Sequence, residues 1–199
     1  MSATNELWNS TKEEDWRIAL EKYWIFVKPT HLEIEKEFDS INIKEIERMN
    51  ADQWYEFLRT KYFFWKFTAR NRYVSTTNQL KKYLGPDDTV ENLLLIKERI
   101  FSFDKEDVAA GLETACKIRG LGRAGASGLL SLLFPLHFAT VDQFAVKALS
   151  EVHGLPEEST TSKMNPSKVL LSIFFNASTY CSGVTTGLIR NSSRISFIL

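Results

Sequence analysis

Cysteine is scarce in this chain, with two residues, Cys116 and Cys181, far apart in sequence. Such a pair gives no disulfide scaffold and is too few for a four-cysteine iron–sulfur cluster. The histidines His31, His137 and His153 are remote from one another and from both cysteines, so no metal-ligand spacing exists. No metal and no cofactor is expected. Net charge is missing too, because 25 Lys and Arg balance 25 Asp and Glu. A neutral chain feels no bulk pull towards nucleic acid. No apolar run is long enough to span a membrane, and Met1 to Trp8 lacks the apolar core of a signal peptide. A cytoplasmic, intracellular protein without a membrane partner is therefore expected. Alternating runs bounded by Asn-Gly or Asp-Gly turns are absent, which argues against a sheet. No fixed-period repeat, Ser-His-Asp arrangement or P-loop occurs.

What is present suits a helical core. The 199 residues are 44% hydrophobic and 13% aromatic, enough for one domain or two small lobes sharing a cleft. Ser10-Thr11 can cap a helix over Lys12 to Val27, with Trp16, Ile18, Leu20, Tyr23 and Trp24 as its apolar residues. Pro29 ends it. Thr30 caps His31 to Phe38, with Glu33 as a capping-box partner. Ile43 to Met49 reads as a short helix. Asn50 or Asp52 caps the next, which runs through Trp54, Phe57, Leu58 and Tyr62 towards Trp65. Arg70 to Arg72 breaks the pattern, and Thr76 or Thr77 leads into Gln79 to Leu84, stopped by Gly85-Pro86. Asp88 or Thr89 caps Val90 to Phe101. Asp104 caps Lys105 to Ile118, with Asp107 in the first turn. Then come Ala124 to Phe134 and a helix from Asp142 to about Val152. The expected fold class is all-α.

Charge is unevenly spread along the chain. Positions 1 to 60 lean acidic, whereas Lys61 to Lys82 holds Lys61, Lys66, Arg70, Arg72, Lys81 and Lys82 and no acid. Basic residues again dominate from Lys117 to Lys147, and no acid occurs after Glu158. A neutral protein can thus carry a basic face.

The sharpest motif is Ile118-Arg119-Gly120-Leu121-Gly122-Arg123-Ala124-Gly125-Ala126-Ser127. Gly120 and Gly122 allow a tight turn with unusual backbone angles. A helix starting near Arg123 points unpaired amides and a positive dipole end outward. Such an end binds a phosphate, and glycine lets it approach closely. Arg119 and Arg123 add charge. The small residues from Ala124 to Gly128 permit close packing of the two hairpin helices. The plain alternative is a glycine turn that merely joins helices. An apolar helix follows, then Pro135, then Phe138-Ala139-Thr140-Val141-Asp142-Gln143-Phe144.

This run resembles the core of the helix-hairpin-helix DNA glycosylase superfamily, the group of endonuclease III and the adenine and 8-oxoguanine glycosylases. The matching residues are Gly120, Leu121, Gly122 and Arg123, then Val141 and Asp142, and the likeness spans about residues 109 to 155. It implies a two-lobed helical fold over residues 1–156, with the hairpin at about 109–134 and a catalytic-aspartate helix at 142–152. Residues 157–199 read as a divergent or poorly ordered tail. The resemblance implies that Arg119, Gly120, Leu121, Gly122, Arg123, Ala124 and Gly125 hold double-stranded DNA. It implies that Asp142 stabilises the sugar cation as a damaged or mispaired base departs. Bifunctional members carry a lysine after the hairpin arginine, which forms a Schiff base. Ala124 stands there, so the implied activity is that of a monofunctional N-glycosylase. A monomer, nucleoid-associated when bound to DNA, is expected.

Further candidate contacts lie elsewhere. The run Lys61 to Tyr73 interleaves aromatic and basic residues. Phe63, Phe64 and Phe67 read as core, and Trp65, Arg70, Arg72 and Tyr73 as ligand candidates at a helix break. His137 and Gln143 flank Asp142 and are candidate contacts. The rivals to the enzyme are a non-catalytic helix-hairpin-helix DNA-binding protein and a plain helical interaction protein.

Overall fold

In a computed structural model of the protein, residues 3–86, 88–141, 147 and 150–153 are described. Among them there is no strand, so the fold class is all-α. In chain order the α-helices are α1 Ala3–Trp8, α2 Glu13–Phe26, α3 Pro29–Asp39, α4 Ile43–Arg48, α5 Ala51–Glu56, α6 Phe63–Lys66, α7 Arg70–Leu80, α8 Val90–Ser102, α9 Val108–Ala115 and α10 Arg123–Leu133. A π-helix, Phe57–Tyr62, joins α5 to α6, and a 3-10 turn, Lys81–Leu84, follows α7. The described residues divide into two compact units. One holds residues 3–27 and those from 130 onward, and the other spans Lys28–Leu129.

In the first unit, the cap of α2 lies one residue later than expected. Lys12 is the N-cap and makes no side-chain capping bond. Ser10 still contributes, because its hydroxyl accepts the Lys12 amide at 3.2 Å and donates to Asp15 at 2.5 Å. Glu13, Glu14 and Asp15 suit the positive end of the helix. The buried side of α2 is marked by Ala19, whereas Ile18 is 42% exposed, Ile25 79% and Phe26 81%. Asn5 of α1 is buried, and its Oδ1 accepts the His153 amide at 2.9 Å. Past α10, buried Phe138 and Val141 anchor the loop, and the hydroxyls of Ser131 and Thr140 share a hydrogen bond of 3.0 Å. Of the expected helix at 142–152, Asp142 and Gln143 lie outside the described residues, as do residues 157–199.

The second unit contains the larger described core. Pro29 opens α3 rather than only ending α2. Its ring presets the helical φ, and its missing N–H is not needed at a first helical position. Asn50 caps α5 in a reciprocal box with Gln53, at 2.9 and 3.0 Å. Thr89 caps α8 through the Asn92 amide at 3.3 Å. Asp107, not Asp104, caps α9 by accepting from Ala110 at 2.9 Å, and Asp104 instead holds the Glu106 amide in the preceding turn. Both aspartates are good caps, and the apolar face of Val108 and Leu112 favours the later start. The core is built on Trp54, Leu58, Tyr62, Phe63, Leu93, Ile100 and Ile118, all buried.

Two further departures matter for the site. The run expected to break at Arg70 breaks earlier, at residues 67–69, and α7 runs through Arg70–Leu80. Thr77 and Leu80 are its buried residues, so it shows no apolar period for sequence reading to find. The run from Asn50 is not uniformly α. At Phe57–Tyr62 the hydrogen bonding shifts by one residue, and the Phe63 amide reaches the Leu58 carbonyl. In the same segment the Thr60 hydroxyl donates to the Glu56 carbonyl at 2.7 Å.

Candidate nucleic-acid interface

The turn between α9 and α10, where a hairpin is expected from the sequence, begins where α9 unwinds. The amides of Lys117 and Ile118 bond three residues back, to Thr114 and Ala115, each at 3.1 Å. Buried Ile118 and Leu121 pin the turn into the core. Gly120 lies between them with φ of 93°, a region L side chains rarely adopt. A Cβ there would lie 2.5 Å from the Thr76 carbonyl oxygen and 3.1 Å from the Phe63 ring. Glycine is therefore required twice over, by backbone angle and by the closeness of α7. Gly122 shares neither constraint, which corrects the expectation that both glycines take unusual angles.

The start of α10 is open. The Gly122 carbonyl accepts the Ala126 amide at 2.8 Å, so Gly122 is the residue from which the helix departs. Helix geometry leaves the next amides, of Arg123, Ala124 and Gly125, without intrahelical acceptors. Gly122, Arg123 and Ala124 are exposed. A Cβ built at Gly122 meets nothing within 4 Å, so packing does not explain this glycine.

Two of the small residues that follow, Gly125 and Gly128, lie close to the run Tyr62–Phe67. A Cβ at Gly125 would lie 3.0 Å from Leu121 and 3.3 Å from Phe67, and one at Gly128 would lie 2.9 Å from the Tyr62 hydroxyl and 3.1 Å from Lys66. The close approach at Gly128 is to the run Tyr62–Phe67, not to α9. Tyr62 is fully buried and donates to the Gly125 carbonyl at 2.5 Å. Burial drives its hydroxyl well above the usual tyrosine range, so it acts as a neutral donor. The π-helix thus carries the side chain that seats the first turn of α10.

Charge at the hairpin is partly spoken for. Arg119 Nε donates to Asp88 Oδ2 at 2.6 Å, and its guanidinium lies 5.9 Å from the Tyr83 ring centre. The Tyr83 hydroxyl accepts the Arg119 amide at 3.2 Å and donates to the Lys117 carbonyl at 3.3 Å. Burial raises Asp88, but hydrogen bonds from Arg119, Asn92 and the Thr89 amide, with the Arg119 charge, outweigh it and hold the carboxyl below its ordinary value. Arg123 is exposed, and its charge reaches the Cys116 thiol, which burial pushes up. Leu121 and Gly125 are buried, so what they contribute is backbone position.

The remaining candidates separate by environment. Phe63 is fully buried, as expected, whereas Phe64 and Phe67 are half-buried. Trp65 is half-buried and stands edge-on to Phe38 at 5.1 Å. Tyr73 is half-buried and edge-on to Phe64 at 6.1 Å, and Phe64 stacks on His31 at 4.9 Å. Arg70 and Arg72 are exposed on the first turn of α7. The break at residues 67–69 lies between Trp65 and Arg70, so the four candidates flank it, with Arg70, Arg72 and Tyr73 in the first turn of α7 rather than in the break itself. His137, half-buried in the first unit, donates its amide to the Phe134 carbonyl at 2.9 Å. The roles of Tyr62, Tyr83 and Asp88 at this turn are not visible in the sequence, where Tyr62 stands in the helical run from Asn50 and Asp88 as a candidate cap. Each acts on a partner at least 31 positions away, and no local pattern marks such a pairing.

A groove of about 530 Å³ also lies in this unit, lined among others by Arg48, Met49, Gln53, Glu56, Phe57 and Lys61. Two of its charged residues form ion pairs, Glu56 with Arg59 at 2.8 Å and Lys61 with Glu37. None of its lining residues belongs to the hairpin. Compared with protein families, curated proteins and solved structures, the chain matches none.

Proposed function

We propose that this chain binds double-stranded DNA through its helix-hairpin-helix and acts in base-excision repair as a monofunctional DNA N-glycosylase. One observation carries the reading: a turn forced by Gly120 presents the exposed Gly122-Arg123-Ala124 start of α10, where the Gly122 Cβ position is empty space. That geometry suits a phosphate, since orphan amides, the positive end of a helix and an arginine converge there.

The chemistry follows from the resemblance around Val141-Asp142. A gripped phosphate would hold the duplex while a nucleotide leaves the stack. The Asp142 carboxylate would stabilise the positive charge that builds on the sugar as the base departs. Ala124 has no amine, so no Schiff base forms at that position and strand cleavage is left to a separate step. The fold under this reading is the two-lobed helical one of that superfamily.

The test uses duplexes carrying uracil, 8-oxoguanine, an alkylated purine or a mismatch, incubated with protein and then treated with alkali. We expect strand breaks in at least one duplex, and their loss in Asp142→Asn with duplex binding retained. Salt-sensitive binding without breaks in any duplex would replace the enzyme by a non-catalytic DNA-binding protein. Absence of salt-sensitive binding would overturn both.

A further inference from the structure

We propose that Asp88 is a brake on the DNA grip: it neutralises Arg119 and so sets how strongly the hairpin holds duplex of any sequence. This rests on the DNA-binding reading above. Arg119 directly precedes Gly120 and stands three residues before Gly122, from which α10 departs. Asp88 competes for the Arg119 side chain. Its Oδ2 accepts from Arg119 Nε at 2.6 Å, while Oδ1 accepts the Thr89 amide at 3.0 Å and Asn92 Nδ2 at 2.9 Å. The carboxylate is thus fixed at the start of α8, where the helix dipole favours its charge. The two partners differ in burial, with Asp88 13% exposed and Arg119 40%. The acid is the anchored member and the arginine the one that solvent or a ligand can reach.

The pair is strong enough to cancel a charge and weak enough to yield. An ion pair with one partner so exposed is screened by solvent and salt. A phosphate offers the guanidinium a charge-assisted, bidentate alternative. Before contact, the hairpin rim presents one positive charge fewer than its sequence suggests. Sequence-independent binding is almost wholly electrostatic, so it loses most from this. Binding reinforced by base-specific contacts loses proportionately less. The brake therefore raises discrimination at the expense of affinity, in keeping with a chain whose charges sum to zero.

Asp88→Asn separates charge from shape, and Asp88→Ser keeps an acceptor for the Thr89 amide should the asparagine variant fold poorly. Binding of a short undamaged duplex would be followed by fluorescence anisotropy between about 50 and 200 mM salt. Either variant should bind roughly three- to tenfold tighter at about 0.1 M salt, with a salt slope steeper by about 0.9. Adding Arg119→Gln should remove the gain entirely, which a purely structural role for Asp88 would not produce. If both variants bind no tighter while the parent protein binds with a clear salt slope, the brake is wrong and the DNA-binding reading stands. If neither the parent nor the variants bind duplex at low salt, both fall.

Discussion

At Gly120 a single methyl group would oppose both the backbone and α7, whereas at Gly122 the same methyl would enter open space. Gly120→Ala should cost about 2–4 kcal/mol, from the strained φ and the clash with the Thr76 carbonyl. Gly122→Ala should cost less than about 1 kcal/mol. Urea unfolding of the two variants checks the difference, and equal losses would mean that Gly122 is also a packing residue. Duplex binding should show the reverse order for whatever folded protein remains, because the methyl at Gly122 stands where the phosphate is expected. The sequence displays a Gly-x-Gly pair but does not say which glycine bends. That choice is made by a carbonyl on another helix, 44 positions earlier in the chain. Arg119 is a similar case: its charge is visible in the sequence, its pairing with Asp88 is not.

Helix ends in this protein are fixed partly by neighbours in sequence and partly by distant side chains. The caps at Asn50 and Thr89 are local, and their residue types announce them. The C-terminus of α4 is not local. Its carbonyls at Glu47 and Met49 are held by the ammonium of Lys97, a buried lysine on α8. Burial pushes Lys97 below its ordinary 10.5, only partly offset by Glu98 and Glu47. Between its folded value and 10.5 the unfolded chain binds more protons, so this residue makes stability rise with pH there. Below its folded value the full burial cost applies. Lys97→Met leaves two carbonyls without their donor and should cost about 1–3 kcal/mol near pH 7. The stability gap between parent and variant should widen as pH climbs towards 10.5 in urea titrations. A gap that narrows would refute the assignment. Tyr55, Tyr62 and Tyr83, raised by burial, pull the other way from about pH 10 upward, and they cancel in the difference. The same reliance on distant contacts explains why α7 was illegible: its sequence Arg70–Leu80 is almost wholly polar, and packing rather than pattern makes it helical.

For the molecule as a whole, 25 positive and 25 negative residues leave local arrangement as the source of any attraction to DNA. The exposed cations near the hairpin in sequence are Lys117, Arg119 and Arg123, of which Arg119 is held by Asp88, with Arg70 and Arg72 on α7, whose Thr76 carbonyl abuts the turn. Contact through the four not held by Asp88 should make duplex binding weaken with salt at a logarithmic slope of about −3.6, far shallower than a strongly basic protein shows. A slope near zero, measured by anisotropy over a salt series, would rule out a phosphate grip. The all-α class was legible throughout, because missing strand signals and recurrent caps are properties of short stretches. The candidate site was legible only in its hairpin half, and Asp142 rests on its likeness to a family motif.

The π-helix ties two distant parts of the second unit together. Its one extra residue per turn sets the rotation at which Tyr62 meets the Gly125 carbonyl and at which Gly128 must stay bare. Rewinding Phe57–Tyr62 as ordinary α-helix with all six residues kept would swing Tyr62 about 100° around the axis, away from α10. The aim of the turn before α10 is therefore written in how a segment is wound as well as in its chemistry. A relative lacking one residue there, and wound as ordinary α-helix, would keep the same aim, because the shorter chain and the tighter winding offset one another.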